Sequence, residues 1–182
     1  RLKVYVEVKH DGTTAYRHHE VLDGLDYQLR FEGEPFDRDA FRREITQFAP
    51  DVLVVLGWRC PMCRFAAEDP AFSSVPKVFT FDMTFAYTVR KLLARFVLWP
   101  YLRRFVYAVV PSDASLWYAR YLGFDRTQVS RGLIGLDTAL FDRACAARKQ
   151  AAVYPRQFLF AGRYTREKRV DRLLEAYRWY RA

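Results

Sequence analysis

Asp51-Val52-Leu53-Val54-Val55-Leu56-Gly57 is a continuous apolar run closed by a glycine. So short a run, β-branched and without alternation, predicts a strand buried on both faces of a parallel sheet. Outward from it the pattern repeats. Leu2 to Val8, Leu25 to Phe31, Val75 to Phe81 and Phe105 to Val110 have the composition of strands. Helical patterns stand between them. Thr14 can cap a short helix ending at Gly24, and Phe41, Ile45 and Phe48 recur at helical spacing between Phe36 and Pro50. A long helical region follows Phe81 to about Arg104, with Pro100 expected to break it in two. Ser112 is placed to cap another helix and Gly123 to end it, and residues 142–152 read as an alanine-rich helix. Strands alternating with helices predict an α/β fold with a doubly wound, Rossmann-like parallel sheet. Ligands of such sheets sit beyond the carboxyl ends of the strands. That rule singles out His10–Thr13, Trp58–Arg64, Asp82–Phe85 and Ser112–Ser115.

The 182 residues are enough for one good core and part of a second. Hydrophobic residues make up 51% and charged ones 28%, which excludes an intrinsically disordered chain. No apolar run reaches about 18 residues, so no transmembrane helix is expected. Three cysteines are too few for a disulfide framework and fit a reducing cytoplasm. A net charge of +9 calls for an acidic partner, of which nucleotide phosphate and anionic lipid rank first. Nucleic acid is not expected, because no helix-turn-helix, zinc-finger or RNA-recognition pattern is present.

The last stretch carries the sharpest chemistry. Phe158-Leu-Phe-Ala-Gly-Arg-Tyr-Thr-Arg-Glu-Lys-Arg-Val-Asp-Arg-Leu-Leu-Glu-Ala-Tyr177 reads as a buried strand, a glycine turn at Gly162-Arg163, a loop bearing Lys168, and an amphipathic helix. Two cations beside a helix N-terminus make a diphosphate site, since the open N–H groups and the helix dipole both favour negative charge. A planar Arg fork and a Lys point charge can stabilise a departing nucleoside diphosphate without a metal. The plain alternative is two solvated cations.

These residues resemble the G-R-[LF]-x-x-x-K-G-[VIL] turn that opens the donor domain of GT-B glycosyltransferases, specifically the retaining family 4. Gly162, Arg163, Lys168 and Val170 match, as do Leu173, Leu174 and Ala176, while Arg169 stands where the family has glycine. Val110-Pro-Ser-Asp-Ala-Ser-Leu-Trp-Tyr-Ala-Arg-Tyr-Leu-Gly123 is similar to the family's "vvpS…ya…LG" segment. Ile134-Gly135-Leu136-Asp137-x-x-x-Phe141 is similar to its N-G-V-D-x-x-x-F turn, with isoleucine in place of asparagine. The resemblance implies an acceptor-binding N-terminal domain over 1–152 and, over 153–182, the first β–α unit of a second Rossmann-like domain that binds nucleotide sugar. It implies transfer of a hexose from a nucleoside-diphosphate sugar to a hydroxyl of a carbohydrate or lipid-linked acceptor, with retention and with no metal. Similar enzymes often dock on the cytoplasmic face of a membrane. The family's E-x7-E segment is absent and is expected beyond Ala182, so residues 1–182 are expected to be an incomplete enzyme, inactive alone, with 156–182 loosely held.

Several residues stay open between two roles. Asp82 follows a strand where related enzymes carry a residue touching the acceptor or the transferring sugar, so it is the catalytic candidate; it is equally an N-cap for a helix beginning near Thr84. Trp58 and Arg59 end a strand and can contact sugar or phosphate, or Trp58 simply packs over the sheet end. Gly135 and Asp137 shape a turn near the cleft, and His10, before a turn, is either a cleft candidate or a surface or packing residue. His18 and His19 have no partner spacing for a metal. Cys60-Pro-Met-Cys63 resembles a thioredoxin-like dithiol at a helix N-terminus, the rival to two ordinary loop cysteines; zinc is not supported because Cys145 stands apart. Between Phe85 and Phe105, five Lys and Arg residues alternate with aliphatic and aromatic ones. That segment is either a helix for an anionic lipid surface or a core helix with a basic edge, and a non-catalytic basic binding module is the third functional class.

Overall fold

The computed structural model describes residues 1–8, 22–31, 33–135, 138–150, 158–162 and 164–181. His10, Asp137, Arg163, the expected helix after Thr14 with its two histidines, and Pro155, which the sequence marks as a hinge into a second domain, lie outside them. The described chain forms two compact units. One holds residues 33–136; the other joins residues 1–32 to 137–182.

The first unit is built on four parallel strands: β3 (Leu53–Leu56), β4 (Lys77–Thr80), β5 (Tyr107–Val110) and β6 (Val129–Arg131), paired in that order. Four helices accompany them: α1 (Arg38–Phe48), α2 (Pro61–Glu68), α3 (Val89–Leu102) and α4 (Asp113–Leu122). This is the expected α/β architecture, a parallel sheet flanked by helices and compatible with a Rossmann-like unit. Strand order follows chain order, so no switch point lies inside this sheet.

Local signals explain most helix ends. Asp37 caps α1 by accepting from Asp39 and Ala40 N–H at 3.0 and 2.9 Å, and Ala49 turns left-handed (φ 50°) ahead of Pro50. Ser112 caps α4 by accepting from Ser115 N–H at 3.2 Å. Gly123 ends it at φ 116°, where a side chain would be strained and a Cβ would meet Trp99 at 3.1 Å.

Three expectations need correction. The run 51–57 is not buried on both faces: Val55 is buried, but Val54 and Leu56 are 68% and 63% exposed. β3 is an edge strand, and alternate side chains on an edge strand are covered only where a neighbour reaches them. Pro100 does not break its helix. It sits in the last turn of α3, where only one N–H is forfeited, and Arg103 N–H still reaches the Trp99 carbonyl at 3.1 Å. Residues 158–162 are not a buried strand; Leu159 is 91% exposed. Among the described residues no strand pairs with this segment, so its backbone groups are left to water and no ladder forms.

The second unit contains the parallel pair β1 (Lys3–Val8) and β2 (Asp26–Phe31), with α5 (Thr138–Gln150) and α6 (Val170–Arg181). The helix expected over 142–152 begins four residues earlier. No residue of α6 is buried; the Phe158 ring lies edge-on to Tyr177 and Tyr180 at 5.6 and 5.3 Å.

An ion pair with a buried carboxylate and a half-exposed arginine ties α1 to the corner after α2. Arg42 donates from Nε and Nη2 to Asp69 Oδ2 at 3.0 and 2.7 Å, and Asp69 Oδ1 accepts from Ala71 N–H at 2.9 Å. Those bonds, the Arg42 ones above all, hold the Asp69 carboxyl below its ordinary range. A depressed folded pKa stabilises the protein above the unfolded carboxylate value of about 4, and the gain is lost as pH falls through the folded value. Asp69→Asn should therefore cost about 1–2 kcal/mol at pH 7, allowing for the half-exposed arginine. It should also flatten the acid limb of a denaturant-midpoint-versus-pH curve.

Candidate functional site

Because β3 to β6 are parallel, their carboxyl ends share one edge, and the loops that leave it carry most of the expected site. At the end of β3, Gly57 adopts φ 69°. Its N–H donates to the Thr80 carbonyl at 2.8 Å, and its carbonyl accepts from the Tyr101 hydroxyl at 2.9 Å. Burial, first of all, raises the Tyr101 pKa far above that of an exposed tyrosine, so the hydroxyl stays a donor. These bonds fix where Trp58 emerges. Its ring stacks on Phe79 at 6.0 Å and leans on Phe81 at 6.4 Å, over the sheet end. Arg59 is exposed beside it.

Cys60 is the N-cap of α2, Pro61 its first helical residue, and Cys63 lies in the first turn, partly buried against the core. Neither is in a disulfide. The expected C-P-x-C helix start is thus present, with the Cys60 sulfur at the positive end of the helix.

Asp82 is exposed where β4 ends. It does not cap the next helix: α3 starts at Val89, and its N-cap is Thr88, which accepts from Lys91 N–H at 3.4 Å. The intervening loop is extended because Phe85 is anchored among aromatic rings. Trp117 and Tyr121 meet it at 5.0 and 5.1 Å, and Tyr118 at 5.8 Å. This cluster had no chemical motif in the sequence. Its one signal is Trp117-Tyr118-x-x-Tyr121, which puts three rings on one helical face. The edge is completed by Ser112 at the end of β5 and by Gly132 to Gly135 after β6, where Gly132 N–H bonds the Val110 carbonyl at 3.1 Å. Gly135 is exposed there.

The structure therefore brings Trp58, Arg59, Asp82 and Gly135 to one edge, beside aromatic faces and an exposed carboxylate. Such a surface suits a polyhydroxyl ligand, which offers C–H faces to rings and hydroxyls to a carboxylate.

The remaining candidates lie in the other unit. Gly162 forms a bend, and Lys168 ends a 3₁₀ turn, Arg166–Lys168. Arg169 follows in the left-handed region (φ 49°, ψ 44°), and α6 begins at the next residue. A concavity of about 430 Å³ opens here, lined by Tyr164, Thr165, Arg166, Arg169, Val170 and Asp171. The Asp171 carboxylate already lies against the Arg169 guanidinium at 3.3 Å and is held below its ordinary pKa by it. An incoming anion at this helix end has to displace that pair. Among the described residues no group of three or more His, Cys, Asp or Glu is placed to hold a metal ion.

The capping geometry separates two residues that look alike in sequence. Thr88→Ala should lower stability by about 1 kcal/mol, whereas Asp82→Asn should leave the thermal midpoint unchanged. Equal destabilisation by both would restore Asp82 as a structural cap. No protein-family model matches the chain, and no curated protein matches it.

Proposed function

We propose that the chain belongs to a GT-B, family 4-like retaining glycosyltransferase. In this reading residues 1–152 form the acceptor side and 153–182 the opening of the nucleotide-sugar side. The observation that carries it is Arg169. The resemblance puts glycine at this position, and the backbone is left-handed there, the conformation glycine adopts without strain. The turn demands what the family motif supplies, even though the residue differs. The Ser112-capped helix closed by a left-handed Gly123 supports the same reading, as does the clustering of Trp58, Asp82 and Gly135 at the carboxyl edge.

The chemistry follows from these roles. Arg163 and Lys168, with the N-terminus of α6, neutralise the diphosphate as the sugar–phosphate bond breaks. Asp82 accepts a hydrogen bond from the acceptor hydroxyl and orients it. The aromatic edge holds the acceptor, a carbohydrate or lipid-linked alcohol, and the cytoplasmic face of a membrane is where a lipid-linked one is met. No metal and no nucleic acid enters this scheme.

Calorimetric titration with a nucleoside diphosphate, with pyrophosphate as the simpler probe, tests the donor side. Arg163→Ala and Lys168→Ala should each weaken binding about tenfold, the worth of one charge-assisted hydrogen bond. Unchanged affinity in both variants would refute the assignment.

The second reading is a dithiol oxidoreductase, favoured by Cys60 at the start of α2 with Pro61 behind it. It requires turnover in an insulin-reduction assay that Cys60→Ser abolishes. No turnover by the wild-type chain removes it.

A further inference from the structure

Helix α3 packs through Ala94, Leu98, Tyr101 and Leu102, which sit at helical spacing on one side. Lys91 shares that side and turns inward: its ammonium donates to the Thr84 carbonyl and lies 5.6 Å from the centre of the Tyr118 ring. A surface helix ordinarily balances such a face with a polar one. α3 does the reverse. Val89, Leu93, Phe96 and Pro100 recur at i, i+4, i+7 and i+11 on the opposite side, with Leu92 and Val97 beside them. Phe96 and Val97 are 72% and 73% exposed. Arg90 and Arg95 flank this strip, one along each edge, and both are exposed. The helix contains no acidic residue, and Arg103 and Arg104 follow it, also exposed.

We propose that the outer face of α3 is a docking surface for an anionic lipid bilayer, lying in the headgroup region with its apolar strip inward. The shape is convex, a ridge that a deformable interface accepts without a matching groove. Arginines bordering an apolar strip can bury their stems and keep their guanidinium groups among lipid phosphates. The main competing occupant, a second copy, is disfavoured by charge. Two such helices face to face bring four arginines together with no carboxylate between them, in a chain of net charge +9. Nor does the helix cross a bilayer. Its 14 residues span about 21 Å, short of the roughly 30 Å hydrocarbon core. This inference is independent of the transferase reading and survives or falls without it.

The test is co-sedimentation of the full chain with sonicated vesicles at low salt. Binding should be at least tenfold tighter to phosphatidylcholine vesicles containing one-third phosphatidylglycerol than to pure phosphatidylcholine, and should weaken on adding salt. Phe96→Glu should abolish it, and the double variant Arg90→Glu, Arg95→Glu should remove the preference for anionic lipid. All three side chains are exposed, so unchanged circular dichroism is expected in these variants. Absence of wild-type binding, or binding untouched by Phe96→Glu, overturns the proposal. A concentration-dependent dimer that Phe96→Glu disperses, seen without vesicle binding, overturns it too and makes the surface a contact between copies.

Discussion

Everything in the four-stranded unit depends on filling the space around Phe79. Its side chain is completely buried, with ring contacts to Trp58, Phe81, Tyr101, Phe105 and Phe124 between 5.0 and 6.2 Å. Those partners come from the end of β3, the loop after β4, the C-terminus of α3 and the segments preceding β5 and β6. One ring on an inner strand therefore joins its own strand end to three segments distant in sequence: the end of β3, the stretch from Tyr101 to Phe105, and Phe124 ahead of β6. The same strand contains Lys77, whose ammonium is buried and donates to the Phe72 and Val75 carbonyls, shaping the turn into β4. Burial, with Arg104 adding to it, lowers the Lys77 pKa, so this cation is held at a cost that only its carbonyl partners offset.

Elements with their own start and stop signals were legible in the sequence. Pro50 stops one helix, and Ser112 and Gly123 bracket another, because a cap acts through neighbours within a few residues; the Asp37 cap emerged only in the structure. What failed was burial. Nothing in Val52 to Leu56 says that the strand will lie at an edge, and nothing in Phe158 to Phe160 says that no strand among the described residues will pair with it. Both facts depend on chain far away. The start of α3 failed for a related reason. Asp82, Thr84 and Thr88 are all acceptable caps, and the choice fell to Thr88 because Phe85, locked among Trp117, Tyr118 and Tyr121, keeps the preceding loop extended.

The candidate site divides the same way. Trp58 and Asp82 could be placed from sequence because the carboxyl-edge rule needs only strand ends; Gly135 was named by resemblance alone, since the short strand β6 ahead of it carried no strand signal. The aromatic cluster could not, since its members are ordinary core-type residues until α4 sets Trp117 beside Phe85. At the other candidate site the decisive quantity was a backbone angle. Nothing in the residue type shows that Arg169 turns left-handed, a conformation glycine adopts more easily, with its guanidinium against Asp171.

In a parallel sheet the helix linking two strands starts at their carboxyl edge and returns to the amino edge. α3 obeys this: it leaves the loop that holds Asp82 and Phe85, and ends at Leu102 ahead of β5. Its exposed apolar strip therefore begins beside the edge where Trp58, Asp82 and Trp117 gather. A bilayer on that strip lies alongside the edge and does not cap it. On the docking proposed for α3, the Asp82 carboxylate and the rings at that edge would stay in water. An arginine-bordered ridge that starts at the strands' carboxyl edge thus has a setting that an apolar patch elsewhere on the unit lacks.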